Sequence, residues 1–162
     1  MSEIISSKRK LFLDMDGPLV DFEGAIAKLR GGGFTGEIDE HPDIFSIAEP
    51  TPGSIEAVMA LSSLFDQYIL STTPWNNTNG ASQKIAWIKK YYGGSGPENL
   101  FYKRVILTHC KDLVGGTDDF LVDDRTKNGA AEFKGELILF GSDEFPTWDP
   151  IVKYLREHAQ TE

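Results

Sequence analysis

The sequence predicts an α/β fold: a doubly wound, mostly parallel sheet with a short cap insertion after the first strand. Three observations carry this. Short apolar runs alternate with amphipathic stretches of helical spacing, the pattern of strands joined by helical crossovers. A length of 162 residues suits one domain with a proper core. A glycine-rich, irregular stretch interrupts the alternation just after the first strand. We therefore expect a single domain over residues 1–162, with a cap insertion at 24–48.

Taken in order, residues 1–9 are polar and read as a lead-in. "KLFLDMDGPLVDF" follows. Leu11, Phe12 and Leu13 form a continuous apolar run bounded by turn residues, as in a buried parallel strand. From Asp21 to Arg30, the residues Phe22, Ala25, Ile26 and Leu29 recur at helical spacing. "GGGFTGE" stops that helix, because glycine continues one only at a cost in backbone entropy. Residues 31–50 read as a loop or small cap rather than a core element. A helix over "SIEAVMALSSLF" has Ser54 as its expected N-cap and Ile55, Val58, Met59, Leu61 and Leu64 as its apolar face. "QYILS" is the second strand. "ASQKIAWIKKYYG" is the next helix, with Ile85, Ile88 and Trp87 inward and its lysines outward, ended by Gly93. "RVILT", "DFLVDD" and "ELILFG" are further strands. A closing helix is expected to have Asp149 as N-cap and Pro150 at its first position.

Bulk properties exclude several functions. Acidic side chains outnumber basic ones by 25 to 16, for a net charge of −9. Polymeric nucleic acid and anionic membranes demand a basic footprint that this chain lacks. The single cysteine, Cys110, rules out an internal disulfide and fits a reducing compartment. No apolar stretch is long enough to span a bilayer, and "MSEIISSKRK" lacks the apolar centre of a signal peptide. The expected location is cytoplasmic.

In doubly wound sheets, ligands bind beyond the carboxyl ends of the strands, and there the polar residues gather. Asp14 and Asp16, two apart on an extended chain, point to one side. The second strand ends at Ser71, Thr72 and Thr73. His109 and Lys111 follow the third, and Asp123, Asp124 and Arg125 end the fourth. Crowded carboxylates repel unless a cation or shared proton relieves them. Carboxylates from two strands form a hard oxygen site suited to Mg²⁺. One aspartate can attack phosphorus, a second can move protons, and hydroxyls and a lysine can hold a phosphate.

"DMDGPLVDF", "LSTTP", "LTHCK" and "LVDDR" resemble the four motifs of the haloacid dehalogenase-like (HAD) phosphohydrolases. More narrowly, "DMDGPLVDFE", "EPTPGSIEAV", "STTPW" and "ILTHCKDLV…FLVDDR" resemble the 5'(3')-deoxyribonucleotidases, over about residues 10–154. The resemblance implies a HAD-like Rossmannoid fold and an Mg²⁺-dependent phosphatase acting on a small phosphorylated substrate, most naturally a nucleotide, through an aspartyl-phosphate. It implies that Asp14 is the nucleophile and a metal ligand, and that Asp16 is the acid/base and lends its backbone carbonyl to the metal. Thr72 and Thr73 would hold the phosphate, and Lys111 would pair with phosphate and nucleophile. Asp123 and Asp124 would supply the remaining carboxylate, with the direct ligand left open. At Phe22 the family contributes to the nucleobase pocket, and Gly17 leaves room for close backbone approach.

The chain also departs from that pattern. In the family a larger helical cap supplies aromatic residues that sandwich the base; here the insertion is short and offers only Phe34 and Phe45. An open rim would admit more varied phosphate esters. Trp75 and Arg125 are the other candidate substrate contacts, although Phe22 could equally anchor its helix and Arg125 could simply bridge a carboxylate. Trp87 and Trp148 are read as core, and Cys110 as packed. Two other readings compete: a phosphatase of another small ester, and a receiver-like phospho-acceptor domain. A receiver carries its phosphorylated aspartate on the third strand, after an early acidic pair, whereas here the Asp-x-Asp comes first.

Overall fold

The computed structural model of the protein describes residues 8–159, so most of the lead-in expected over residues 1–9 lies outside the described residues. Five strands form one all-parallel sheet: β1 (Lys10–Leu13), β2 (Asp66–Ser71), β3 (Val105–Leu107), β4 (Phe120–Asp123) and β5 (Glu136–Leu139), in the order β3-β2-β1-β4-β5. The α/β class and parallel sheet are as the sequence predicts. The order reverses between β1 and β4, which makes β1 the switch point where a crevice opens at the carboxyl ends.

Side-chain alternation along the strands divides the core. Leu11, Leu13, Ile69, Val122 and Ile138 join a large cluster with Val58, Leu61, Trp87, Ile88, Trp148 and Ile151. These partners come from α3 (Ser54–Leu61), α4 (Gly80–Tyr92) and α5 (Trp148–His158). The opposite face carries Phe12, Leu70 and Leu121, packed with Ala130 and Phe133. Those two residues belong to the turns between β4 and β5, so turns cover this face where helices were expected. Trp87 and Trp148 are core residues, as read from the sequence.

The insertion is anchored at its base. Val20 bridges Pro50, and the Asp21 amide donates to the Glu49 carbonyl at 2.8 Å. Between them lie α1 (Phe22–Gly31), a 3₁₀ turn (Ile38–Glu40) and α2 (Ile44–Ile47). Asp21 caps α1 by accepting from the Gly24 amide at 2.9 Å. The stretch 31–50 is not all loop. Ile44 and Phe45 are buried, with Phe45 stacked on Phe22 at 5.9 Å, and the Trp87 indole ties α4 to the Ala48 carbonyl. Apolar side chains every third or fourth residue are too few over four residues to register as a helix, which is why this element was missed.

Helix starts differ slightly from expectation. Gly53, with φ of +79°, occupies the cap position of α3, and Ser54 turns its hydroxyl to the Leu19 carbonyl instead. Met59 is exposed and Ala57 takes its place in the core. Thr147 precedes α5, so Pro150 lies in the first turn rather than at its first position. Cys110 is exposed, not packed. Among the described residues, no helix is long and apolar enough to cross a membrane.

Candidate active site

The parallel register sets the site. Leu13 pairs with Val122 on one side and Ile69 on the other, so Asp14 emerges level with Asp123. The Asp14 amide still donates to Val122 at 2.9 Å, holding the chain extended one residue past β1. Met15 points into the core while Asp14 and Asp16 both line the cleft, as their two-residue spacing predicts. Gly17 then turns the chain at a φ of +102°, where any side chain would collide with the Asp124 carboxylate. Thr51 secures this turn by donating to the Gly17 carbonyl at 2.6 Å, and Trp148 does so by donating to the Pro18 carbonyl at 2.6 Å.

Lys111 reaches the same point from a 3₁₀ turn (Lys111–Leu113) after β3. Its amide donates to the carbonyl of Asn128 at 2.8 Å, and Asn128 itself sits at a φ of +55°. The Lys111 ammonium, buried, lies 3.0 Å from Asp14 Oδ1 and 2.6 Å from Asp123 Oδ2. Asp123 Oδ1 accepts from the Arg125 amide at 3.0 Å. Both Asp123 oxygens are thus engaged by the protein, whereas Asp124 Oδ1 is buried with no hydrogen-bond partner among the described residues.

Sequence reasoning missed Lys84. It was expected to face solvent with the other lysines of α4, yet it is fully buried. Its ammonium donates to Asp16 Oδ2 at 3.0 Å, Ser71 Oγ at 2.8 Å and the Thr72 carbonyl at 2.7 Å, and stands 4.7 Å from the Phe45 ring centroid. The other oxygen, Asp16 Oδ1, has no partner among the described residues. A signal was present: Lys84, Trp87 and Ile88 stand at i, i+3 and i+4, which is one helix face.

Four carboxylates therefore face two buried ammonium groups, an excess of two negative charges. Burial pushes the Asp14 carboxyl up to about 6, with Lys111 opposing and Asp123 reinforcing. Burial, then Asp14 and Asp123, push Asp124 up to about 7. Burial also raises Asp16, against the pull of Lys84. Burial alone would lower Lys111, but Asp14 and Asp123 outweigh it and the value rises. A divalent cation fits this arrangement. Asp14, Asp123 and Asp124 each offer an oxygen within 4.8 Å of the others, Asp124 Oδ1 is an unspent buried acceptor, and the donors are all hard oxygens.

A cleft of about 240 Å³ opens over these groups, and every sequence-predicted site residue lines it. Thr72 spends its hydroxyl proton on the Thr108 carbonyl at 2.7 Å, while Thr73 gives its carbonyl to His109 Nε2 at 2.9 Å. Phe22 is both the first residue of α1 and part of the cleft, so its two readings hold together. Trp75 is 86% exposed. Arg125 is exposed at the mouth, beside Lys127 and Asn128, which sequence reasoning passed over, as it did Asp39 from the cap. Neither cap aromatic serves the cleft: Phe45 is core, and Phe34 packs edge-on against His41 at 4.7 Å.

A parallel α/β sheet whose switch point gathers an Asp-x-Asp turn, a buried lysine and a second acidic pair defines a HAD-like phosphohydrolase. Comparison narrows the class. A profile described as "5' nucleotidase, deoxy (Pyrimidine), cytosolic type C protein" matches residues 36–149. The chain is 44% identical over 153 residues to the "Putative 5'(3')-deoxyribonucleotidase" of Vibrio phage KVP40, spanning 93% of this chain and 86% of that protein. It is 27% identical over 177 residues to the human "5'(3')-deoxyribonucleotidase, cytosolic type", spanning 88% and 78%. It is 26% identical over 175 residues to the human mitochondrial enzyme, spanning 88% and 69%. The chain belongs to this 5' nucleotidase, deoxy, type C family, and is a phosphatase of phosphoric monoesters.

Proposed function

We propose that the protein is an Mg²⁺-dependent deoxyribonucleotidase that hydrolyses deoxyribonucleoside monophosphates through Asp14. One observation carries the reading: Lys111 bridges Asp14 and Asp123 at adjacent strand ends. With Oδ1 held by Lys111, Asp14 presents its other oxygen to phosphorus. Attack forms an Asp14–phosphate bond and breaks the ester bond. The departing alkoxide takes its proton from Asp16. Asp16, now ionised and held by Lys84, takes a proton from water, whose oxygen displaces Asp14 and releases inorganic phosphate. Thr73, with its hydroxyl not tied to Thr108, is the better placed threonine to donate to the phosphate. Mg²⁺, held by Asp14, Asp124 and the Asp16 backbone carbonyl, would screen the repulsion between carboxylate and phosphate and stabilise charge on the transferring group. The engaged oxygens of Asp123 favour Asp124 as the direct carboxylate ligand.

The cation reading predicts a thermal shift. Saturating Mg²⁺ at about 100 times its dissociation constant stabilises by about 2.7 kcal/mol, a rise in Tm on the order of 5–10 °C over an EDTA-treated sample. Activity should vanish in EDTA and return on adding Mg²⁺. Equal melting and equal activity in both would remove the cation from the account.

A second reading, a phosphatase of another small ester, is favoured by the cap, whose aromatics Phe34 and Phe45 both turn away from the cleft and leave only the largely buried Phe22 in its lining. Initial rates across deoxy- and ribonucleotides, sugar phosphates and phosphoamino acids separate the two. Deoxynucleoside monophosphates should lead by at least about ten-fold in kcat/KM, with no single base sharply preferred. A sugar phosphate or phosphoamino acid that outruns every nucleotide would replace the first reading with the second.

A further inference from the structure

Building on the nucleotidase reading, we propose that Trp75 is the platform on which the substrate's nucleobase stacks, a role the short cap leaves to the loop after β2. Tryptophan is on average a well-buried residue, yet Trp75 is 86% exposed while it lines the cleft that holds Asp14 and Lys111. Among the described residues its one ring partner is His109, edge-on at 5.8 Å and 70°. That contact leaves indole surface free. His109 is in turn pinned to the Thr73 carbonyl.

The loop that carries the indole is tied down. Asn77 is buried and donates to the Asp39 and His41 carbonyls at 2.9 and 3.1 Å, and Asn76 donates to Glu40 Oε1 at 3.1 Å. These bonds clamp the loop to the cap, so stacking on Trp75 carries little ordering cost. The cap offers little rival surface: Phe22, which also lines the cleft, is only 9% exposed. Phe45 is spent on Phe22, and Phe34 lies between His41 and the Arg30 guanidinium. One wall runs without a break from Thr72 and Thr73 through Pro74 to Trp75. An ester whose phosphate sits at the threonines therefore has its remaining bulk beside the indole.

Every base has a π-face, so a one-sided aromatic platform binds bases without selecting among them. All four deoxynucleotides should be accepted with similar KM. The competing location is a neighbouring groove lined by Val20, Ile26, Thr51 and Phe140, which shares Phe22 and Arg125 with the cleft.

The test compares deoxyadenosine and deoxycytidine monophosphates with deoxyribose 5-phosphate, which keeps the reacting ester and lacks the base. In Trp75→Ala the ratio of kcat/KM for nucleotide over sugar phosphate should fall by about 5–150-fold, the range for losing one base–aromatic stack. Trp75→Phe should retain most of it. Because Trp75 is exposed, neither change removes core packing. A second readout needs no turnover: deoxynucleotide added to Asp14→Asn should quench the exposed tryptophan, and Trp75→Phe in that background should lose the quench. An unchanged ratio in Trp75→Ala overturns the proposal, and so does a loss that appears in Ile26→Ser instead. If the wild type hydrolyses no deoxynucleotide, the nucleotidase reading itself has failed, which the wild-type rates reveal before any variant is made.

Discussion

Asp14→Asn should reduce turnover of a deoxynucleoside monophosphate by at least about 10⁴-fold while the protein stays folded. The amide matches the carboxylate in shape, and its oxygen can still accept from Lys111, but it is not a nucleophile at phosphorus. Lys111 would also keep its partner Asp123 at 2.6 Å. The change takes one charge out of a buried cluster in which burial and Asp123 already hold the Asp14 carboxyl up at about 6. A neutral group there relieves repulsion from Asp123 and Asp124, which offsets the lost attraction to Lys111. In EDTA the variant should therefore melt within a few degrees of wild type. The measurement is a steady-state assay paired with a thermal melt. Near-normal turnover in a folded variant would sink the nucleophile assignment.

Lys84→Met is the second large effect, and it strikes stability and rate together. Methionine fills most of the lysine's volume but strips the ammonium from Asp16, Ser71 and the Thr72 carbonyl. Removing one partner of a buried ion pair costs about 3–5 kcal/mol. The Asp16 side chain is 22% exposed and recovers some solvation, so the lower end, about 3 kcal/mol, is expected from urea unfolding. Without Lys84 the Asp16 carboxylate also loses the contact that orients it, and misplacement of a reacting group by about 1 Å costs on the order of 10²-fold in kcat. A variant with wild-type midpoint and wild-type kcat would show that the contact between Lys84 and Asp16 is incidental.

These two residues mark how far local pattern reaches. Asp14 was legible because its placement follows from local geometry. An apolar run makes a buried strand, residues two apart share a side, and parallel strands end at a common rim. The same logic reached Lys111, Asp123 and Asp124 through the strand ends. Lys84 was not legible as a site residue, although its i, i+3, i+4 relation to Trp87 and Ile88 placed it on the inward face. A lysine in an amphipathic helix reads as solvated unless its counter-charge is known, and here that charge is 68 residues away.

The cap divides in the same way. Its glycines and its approximate limits, 24–48, can be read from composition, whereas its tie between Asp21 and Glu49 cannot. The commitment of Phe45 to the core depends on where Phe22 and Lys84 come to rest around it. Trp75 was legible as a rim residue because it closely follows a strand end. Its exposure was not, since only the packed structure shows that Phe34 and Phe45 turn elsewhere.

By itself, then, the sequence determined the parallel α/β sheet, the strand ends and the carboxylates they carry, because alternation and apolar runs act over a few residues. Tertiary structure alone decided which oxygens are left unpaired, which lysine is buried against Asp16, and which aromatic faces the cleft. Those outcomes are set by burial and charge balance between segments far apart in the chain, and no local pattern encodes them.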